Sequence, residues 1–413
     1  MRVIRCGTLF DGTGAAPVRG GVIVESGGRI VAAGPPDRTP TPPDATVVDL
    51  RDRFVMPGLV DAHSHISIVP GKGDQIGQLR EPPVPQALRA TANLRQDLAA
   101  GTTTMRVMAE EHFLDVDVRQ AIEAGLVAGP RLLVATRGIT ASNGHGRALS
   151  SFDGVDEIRR GVRENFHRGA DLVKLFATGG VSSAAGTLNA SGYSREEIRA
   201  AVEEAERVGK YAAAHAHGGP GLRLAVEEGV STIEHGALAT DDDVALMIDR
   251  KAWLICTFAI LFHPTGIEQG DARRPAIMEK VRWARRVVEA SFPRLLRSGV
   301  RFAVGTDSMH GLMSCELETL VRFGVPARDA LLAGTRWGAE ACRVDHETGT
   351  LEPGKRADVI GIDGDPLADI AALRRVDFVM KDGIDQLAGQ LPGQLRGQPS
   401  SQRRGHLQGG PEP

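Results

Sequence analysis

The sequence predicts an α/β fold: a (β/α)8 TIM barrel with a small β-sandwich-like domain built from both chain ends. Three observations predict it. Apolar strand-like runs alternate with amphipathic helical runs between residues 55 and 344. That interval of about 290 residues suits a barrel whose usual size is roughly 250 residues with room for insertions. Polar residues with catalytic chemistry recur at the C-terminal ends of the strands, the face on which such barrels carry their active sites. A doubly wound open sheet fits less well, because no Gly-x-Gly-x-x-Gly turn opens the first unit.

Taken in order, residues 1–54 read as the N-terminal part of the small domain. Val22-Ile23-Val24 and Arg29-Ile30-Val31 flank Gly27-Gly28, the pattern of a hairpin. Five prolines between Pro35 and Pro43 require a loop, and Val47-Val48-Asp49-Leu50 is one more strand. Residues 55–344 form the barrel. Its strands are expected at 55–62, 101–107, 131–137, 171–177, 211–216, 231–235, 252–258 and 300–306, with helices at 85–99, 155–167, 195–208, 219–228, 241–250, 276–297 and 327–341. Ile198, Val202, Ala205 and Val208 recur at helical spacing, and Ser194 with Glu197 is a capping box that opens their helix. Strand character returns over 345–383, the C-terminal part of the small domain. Residues 384–413 hold six glutamines and hardly any apolar cluster, so they bury too little surface to fold and are expected to form a disordered tail.

Lys plus Arg is 49 against 52 acidic residues, which gives no excess of positive charge for nucleic acid or a membrane surface. The four cysteines are far apart with no Cys-x-x-Cys spacing, the usage of a reducing compartment. No apolar run reaches the about 18 residues of a membrane span, and the N-terminus lacks a signal-peptide pattern. A cytoplasmic protein is expected.

The chemistry gathers at the strand ends. His63 and His65 lie two residues apart, so a strand points both imidazoles the same way and supplies half of a metal site. Lys174 interrupts the apolar fourth strand, the fifth ends in His215-Ala216-His217, the sixth in Glu234-His235 and the eighth in Thr306-Asp307. Singly, Lys174 can be an edge residue, His215 a core histidine and Asp307 a helix cap. Together, these ligand types on one barrel face indicate a metal centre.

With these residues in view, the chain resembles the amidohydrolase superfamily, in its imidazolonepropionase-like and Xaa-Pro dipeptidase-like branch. The resemblance is carried by Val55-Met56-Pro57-Gly58-Leu59-Val60-Asp61-Ala62-His63-Ser64-His65, Lys174 with Thr178-Gly179-Gly180-Val181, His215-Ala216-His217, Ile233-Glu234-His235-Gly236 and Gly305-Thr306-Asp307-Ser308. It implies two divalent metal ions, most often zinc. His63, His65 and Asp307 would hold one ion, His215 and His235 the other, and an N-carboxylated Lys174 would bridge them. Burial and nearby cations favour the neutral amine of a lysine, which can add CO2 and become an anionic ligand. The resemblance also implies a metal-bridging hydroxide as nucleophile, with Asp307 carrying the proton to the leaving nitrogen.

His145, in Ser142-Asn143-Gly144-His145-Gly146, matches a Gly-Gly-His-type loop of the branch with Asn143 in place of the first glycine, and is a candidate for substrate or oxyanion contact. His217 is open to three readings: substrate contact, support of the ligands, or a solvent-facing ring. Tyr193 and Arg163 are candidates for binding a substrate carboxylate, Arg163 being equally well placed on a helix surface. The loops 66–84, 108–115, 138–153, 178–193, 259–275 and 308–316 would set specificity. In the family a closing strand often follows a Lys-Asp-Gly turn, and the glutamine-rich tail departs from that. The expected enzyme is a metal-dependent hydrolase of carbon–nitrogen bonds other than ordinary protein peptide bonds, or a dipeptidase, acting on a small molecule such as a dipeptide or N-acyl amino acid. Phosphotriester or lactone hydrolysis, cyclic-amide hydrolysis and a non-catalytic scaffold are the alternatives; Lys174 counts against the cyclic-amide enzymes, and an intact ligand set counts against the scaffold. Relatives commonly form homo-oligomers.

Overall fold

A computed structural model describes residues 1–182 and 187–387. Its strands are, in chain order, β1 (Arg2–Leu9), β2 (Val18–Arg19), β3 (Val22–Ser26), β4 (Arg29–Gly34), β5 (Thr46–Pro57), β6 (Leu59–Ser64), β7 (Thr102–Val107), β8 (Arg131–Val134), β9 (Val173–Phe176), β10 (Ala212–Ala216), β11 (Thr232–His235), β12 (Trp253–Cys256), β13 (Arg301–Val304), β14 (Val359–Ile362), β15 (Val376–Lys381) and β16 (Ile384–Asp385).

Both chain ends share one mixed sheet, ordered β16-β15-β14-β5-β1-β3-β4 with β2 on β1. Alternation gives it apolar side chains on both faces: Ile4, Cys6, Ile23, Val359 and Met380 pack in one cluster, Val3, Val22 and Val24 in another. The hairpin at Gly27-Gly28 is present as β3–β4.

β6 to β13 are the eight barrel strands, all parallel, in a ladder of three (β6-β7-β8) and a ladder of five (β9 to β13). An Ile139–Leu175 bridge joins the ladders on one side. On the other, Asp307 N donates to His63 O at 2.8 Å. Asp61 also ties this seam, accepting from Thr306 N (3.0 Å) and Thr306 Oγ1 (2.6 Å). Gly305 lies so close to the His63 backbone that a Cβ would collide with it, which is why the seam needs glycine there. Parallel strands buried on both faces explain the near-continuous apolar runs of the sequence.

Three details differ from expectation. The predicted first barrel strand begins at 55, but Phe54–Pro57 belongs to β5, where Val55 and Pro57 pair with Gly361 and Val359 of β14; the barrel strand starts at Leu59 after Gly58. The predicted helix 327–341 is two helices, Ala327–Ala333 and Arg336–Ala341, because the Gly334 carbonyl leaves the helix to accept from Val60 N of β6. Ile384–Asp385 pairs with β15 across the Lys381-Asp382-Gly383 turn, so the closing strand is present; residues 388–413 of the expected tail lie outside the described residues. The Ser194–Glu197 capping box forms as predicted. No helix among the described residues is long and apolar enough to cross a membrane, and the four cysteines are free.

Candidate metal centre

The barrel topology brings His63 and His65 (β6), Lys174 (β9), His215 (β10), His235 (β11) and Asp307 (just past β13) to one rim. All but His63 line a cavity of about 750 Å³, its open mouth included. His63 lies immediately behind it, Nε2 3.5 Å from Asp307 Oδ1, with His65 Nε2 3.6 Å from the same oxygen. The His235 ring is 4.8 Å from that of His63 and 4.6 Å from that of His215, centroid to centroid. The potential ligand atoms of His63, His65 and Asp307 lie within 4.8 Å of one another.

The residues behind the rings set their tautomers. A carbonyl can only accept, so His65 Nδ1–H donates to Ala109 O (2.8 Å) and the lone pair on Nε2 faces Asp307. His215 Nε2–H donates to Gly179 O (3.2 Å), leaving Nδ1 as its lone-pair nitrogen. His63 Nδ1–H donates to the Glu234 carboxylate (2.7 Å), and His235 Nδ1 bonds the Thr257 hydroxyl (2.7 Å). Metal-binding histidines are oriented in this way by a partner on the other nitrogen. His235 (φ +73°) and Asp307 (φ +49°) sit in the left-handed region, a conformation that costs of order 1–3 kcal/mol per residue and recurs where a scaffold aims functional side chains.

Burial drives the rings toward neutrality: His65 and His217 fall from 6.5 to about 4, and His145 to about 3. Burial pushes the Asp307 carboxyl up, but the imidazoles of His63 and His65 beside it and the Lys174 side chain outweigh it and hold the group well below the usual carboxylate range. Burial also lowers Lys174 from 10.5 to about 8. These depressed imidazoles carry a sign. Between pH 6.5 and 4 the unfolded rings take up protons that the folded rings refuse, so each ring contributes stability to the metal-free protein that is lost as pH falls through that window. The buried carboxyls of Asp61, Glu110 and Asp115, raised to about 7, act in the opposite sense. Urea midpoints of chelator-treated wild type and His217→Asn at about pH 7.0 and about 4.5 test this: wild type should lose more on acidification than the variant that lacks the ring, and equal losses would contradict it.

His145 and His217 are brought to the cavity too. His217 is buried with both ring nitrogens unpaired, so a solvent-facing ring is excluded; its ring stacks on His235 at 5.2 Å. His145 sits 4.5 Å from His215, ring to ring, with Nδ1 unpaired. Gly180 presses against His145 so closely that a side chain there would displace the ring.

Tyr193 and Arg163 are not brought to the cavity. The Tyr193 hydroxyl is buried and donates to Phe152 O (2.8 Å), anchoring the end of the His145 loop. Arg163 is exposed on the helix Val155–Arg168 and pairs with Glu204 at 2.8 Å, the helix-surface role. Arg163→Ala is therefore expected to leave KM unchanged; a rise of about tenfold would return the residue to the site.

Four further residues take supporting roles: Glu110 and Glu111, whose run in sequence could shape the pocket, Glu234 of the Ile233–Gly236 motif, and Arg106. Glu110 accepts from Ser67 N and Oγ, and Glu111 accepts from Leu149 N, Ser150 N and Ser150 Oγ, fixing the loops after β6 and β8. Arg106 and Glu234 form a fully buried pair inside the barrel. Beyond the motif that contains Glu234, their sequence signal is a charged residue at an inward position of a buried strand, which is rare unless paired.

Neutral imidazoles, an ionised carboxylate and an unpartnered amine are donors for divalent cations, and this barrel rim presents them where hydrolases of the fold do their chemistry. The protein is a hydrolase acting on carbon–nitrogen bonds. More particularly, the chain belongs to the amidohydrolase family, whose sequence pattern matches residues 54–384; the family generally uses divalent metals. The chain is similar to the ochratoxinase of Aspergillus niger, 28% identical over 93% of this chain and 86% of the relative. It is also similar to the imidazolonepropionase of Symbiobacterium thermophilum, 25% identical over 84% of each. Among solved structures, a Xaa-Pro dipeptidase with methionine in its active site superposes with a TM-score of 0.84 at 28% identity, covering 93% of this chain and 99% of that one. The A. niger ochratoxinase structure superposes with a TM-score of 0.81 at 26% identity, covering 93% and 95%.

Proposed function

We propose that the protein is a metal-dependent amidohydrolase that cleaves the C–N amide bond of a dipeptide or N-acyl amino acid. The observation that carries this reading is the buried Lys174 Nζ, which has no hydrogen-bond partner and faces the same cavity as Asp307 and the imidazoles. The unpaired Nε2 of His63 and Nζ of Lys174 are what a divalent-cation centre requires of its donors, so the residues fit the group. His63, His65 and Asp307 would hold one zinc ion, His215 and His235 the other, with Lys174 between them after its neutral amine adds CO2 and releases a proton. When bound, such ions acidify water and polarise a carbonyl.

The chain's own residues do the rest. Asp307, held ionised, accepts the proton of the attacking water on a carboxylate oxygen and passes it to the departing nitrogen. His145 and His217, held neutral, each offer an N–H that can hydrogen-bond the substrate's carbonyl or carboxylate oxygen. Ile68, Leu79, Phe258, Leu261, Val288 and Phe292 also line the cavity and suit an apolar side chain or acyl group. Similarity to an ochratoxinase and to a Xaa-Pro dipeptidase supports an amide substrate. Free cysteines fit a cytoplasmic setting.

The test is hydrolysis of a panel of dipeptides, N-acyl amino acids, cyclic amides, lactones and organophosphates, with a metal count on the same preparation. Turnover of N-acyl amino acids or dipeptides with two zinc ions per chain is expected. Turnover confined to lactones, organophosphates or cyclic amides would overturn the substrate reading.

A further inference from the structure

Among the described residues, Arg106 is the largest side chain fully shut off from solvent. It stands on β7 with its guanidinium in the barrel interior, and all its hydrogen bonds are internal. Nε donates to Ala62 O of β6 at 2.6 Å, Nη1 to Thr232 Oγ1 of β11 at 3.1 Å, and Nη2 to both oxygens of Glu234, also on β11, at 2.9 and 3.1 Å. Thr232 Oγ1 donates to Glu234 Oε1 at 2.5 Å. The other carboxylate oxygen, Oε2, accepts His63 Nδ1–H at 2.7 Å. Arg106, Glu234 and His63 are all without exposure.

Two features separate this network from ordinary core packing. It crosses the barrel: β6 and β7 belong to the ladder of three and β11 to the ladder of five, so the ion pair ties the two ladders across the lumen. It also ends on the candidate ligands of each ladder, His63 through its hydrogen bond and His235 through the peptide that joins it to Glu234. Apolar side chains of similar volume generally fill a core as well as a buried ion pair does, because desolvating two charges offsets their attraction. Fold stability therefore gives little reason for the pair, whereas orienting a ligand does.

We propose that Arg106 and Glu234 are positioning residues: they hold His63 in its Nδ1–H tautomer with the Nε2 lone pair aimed at the site beside Asp307, and they set the spacing between the ligands of β6 and β11. This rests on the reading of His63 and His235 as cation ligands. Arg106 takes up both Glu234 oxygens, which fixes the carboxylate, and the fixed carboxylate can only accept from His63. A glutamine at 234 has the same shape but can turn its NH2 toward His63, inviting the opposite tautomer and masking Nε2 with a proton.

The experiment compares wild type, Glu234→Gln and the apolar double variant Arg106→Met/Glu234→Met. Each is stripped with chelator and titrated with zinc against a chromophoric competitor. The His63 tautomer is read from ring 15N shifts of the zinc-free proteins, assigned with His63→Gln, and melting temperature is recorded. For Glu234→Gln, one zinc should bind about 10- to 100-fold more weakly, the penalty typical of losing such an outer hydrogen bond, with His63 moving to the Nε2–H form. The double variant should fold, with a melt lowered only as far as Ala62 O, Thr232 Oγ1 and His63 Nδ1 losing their partners requires. It should show the same weakened zinc with the His63 tautomer no longer fixed, a readout that separates positioning from folding. Wild-type zinc affinity and an unchanged tautomer in Glu234→Gln, or in the double variant should the single one not fold, would overturn the proposal and leave the pair a structural strut. Wild-type protein that binds no zinc would instead overturn the metal reading and the affinity half of the proposal, while the tautomer comparison would still decide the orientation half.

Discussion

Replacing Lys174 with alanine should abolish hydrolysis and leave the protein unable to hold two metal ions. Lys174 is fully buried on β9, its Nζ has no hydrogen-bond partner and stands 5.1 Å from the centre of the Phe176 ring, and burial lowers its pKa to about 8. At neutral pH that places about a tenth of the side chain in the neutral form, which alone can add CO2. Reaction with CO2 replaces a cation that repels metal ions with an anionic oxygen ligand that can join them. Alanine supplies neither oxygen nor charge, and nothing else among the cavity-lining residues stands in for it. The same substitution should do little harm to the metal-free fold, because an ammonium buried without a hydrogen-bond partner is unfavourable. Native mass spectrometry for the added CO2, metal counting and a thermal melt test the three parts together. Full activity with two bound ions in Lys174→Ala would remove the bridging role.

Asp307→Asn should cut kcat by about 10²- to 10⁴-fold, the range typical of losing a positioned proton carrier. The substitution isolates charge from geometry. Asp307 occupies φ +49°, and asparagine is the side chain that tolerates the left-handed region best apart from glycine. It also keeps an oxygen where the Asp307 carboxylate stands, 3.5 Å from His63 Nε2 and 3.6 Å from His65 Nε2. The backbone turn and the melting temperature should survive, while the group that accepts the proton is lost. Steady-state kinetics on a substrate found in the panel, with circular dichroism as a control, measures this. Turnover equal to wild type in a folded, metalled Asp307→Asn would rule out Asp307 as the proton carrier.

The barrel and its candidate ligands were readable because both are written in short-range periodicity. A run such as Tyr211-Ala212-Ala213-Ala214 ending in His215 announces a strand buried on both faces, and two-residue spacing states that His63 and His65 share a side. The first barrel strand was misplaced by four residues for the same reason: Phe54-Val55-Met56-Pro57 is as apolar as Leu59-Val60, and only pairing with β14 assigns it to the other sheet. Tyr193 and Arg163 show what side-chain chemistry alone leaves open. Each has a polar end that suits a carboxylate, and each finds an internal partner instead, in Phe152 O and Glu204.

Local pattern alone was thus sufficient for the alternation of strand and helix, the strand ends that carry ligand chemistry, and the capping box at Ser194. Tertiary structure alone decided which polar groups are joined across the lumen. Arg106 and Glu234 lie 128 residues apart, and neither has a neighbour in sequence that predicts the other. The physical reason is that facing along a strand follows from backbone geometry over two residues, whereas a partner across a barrel exists only once the ring of strands has closed around it.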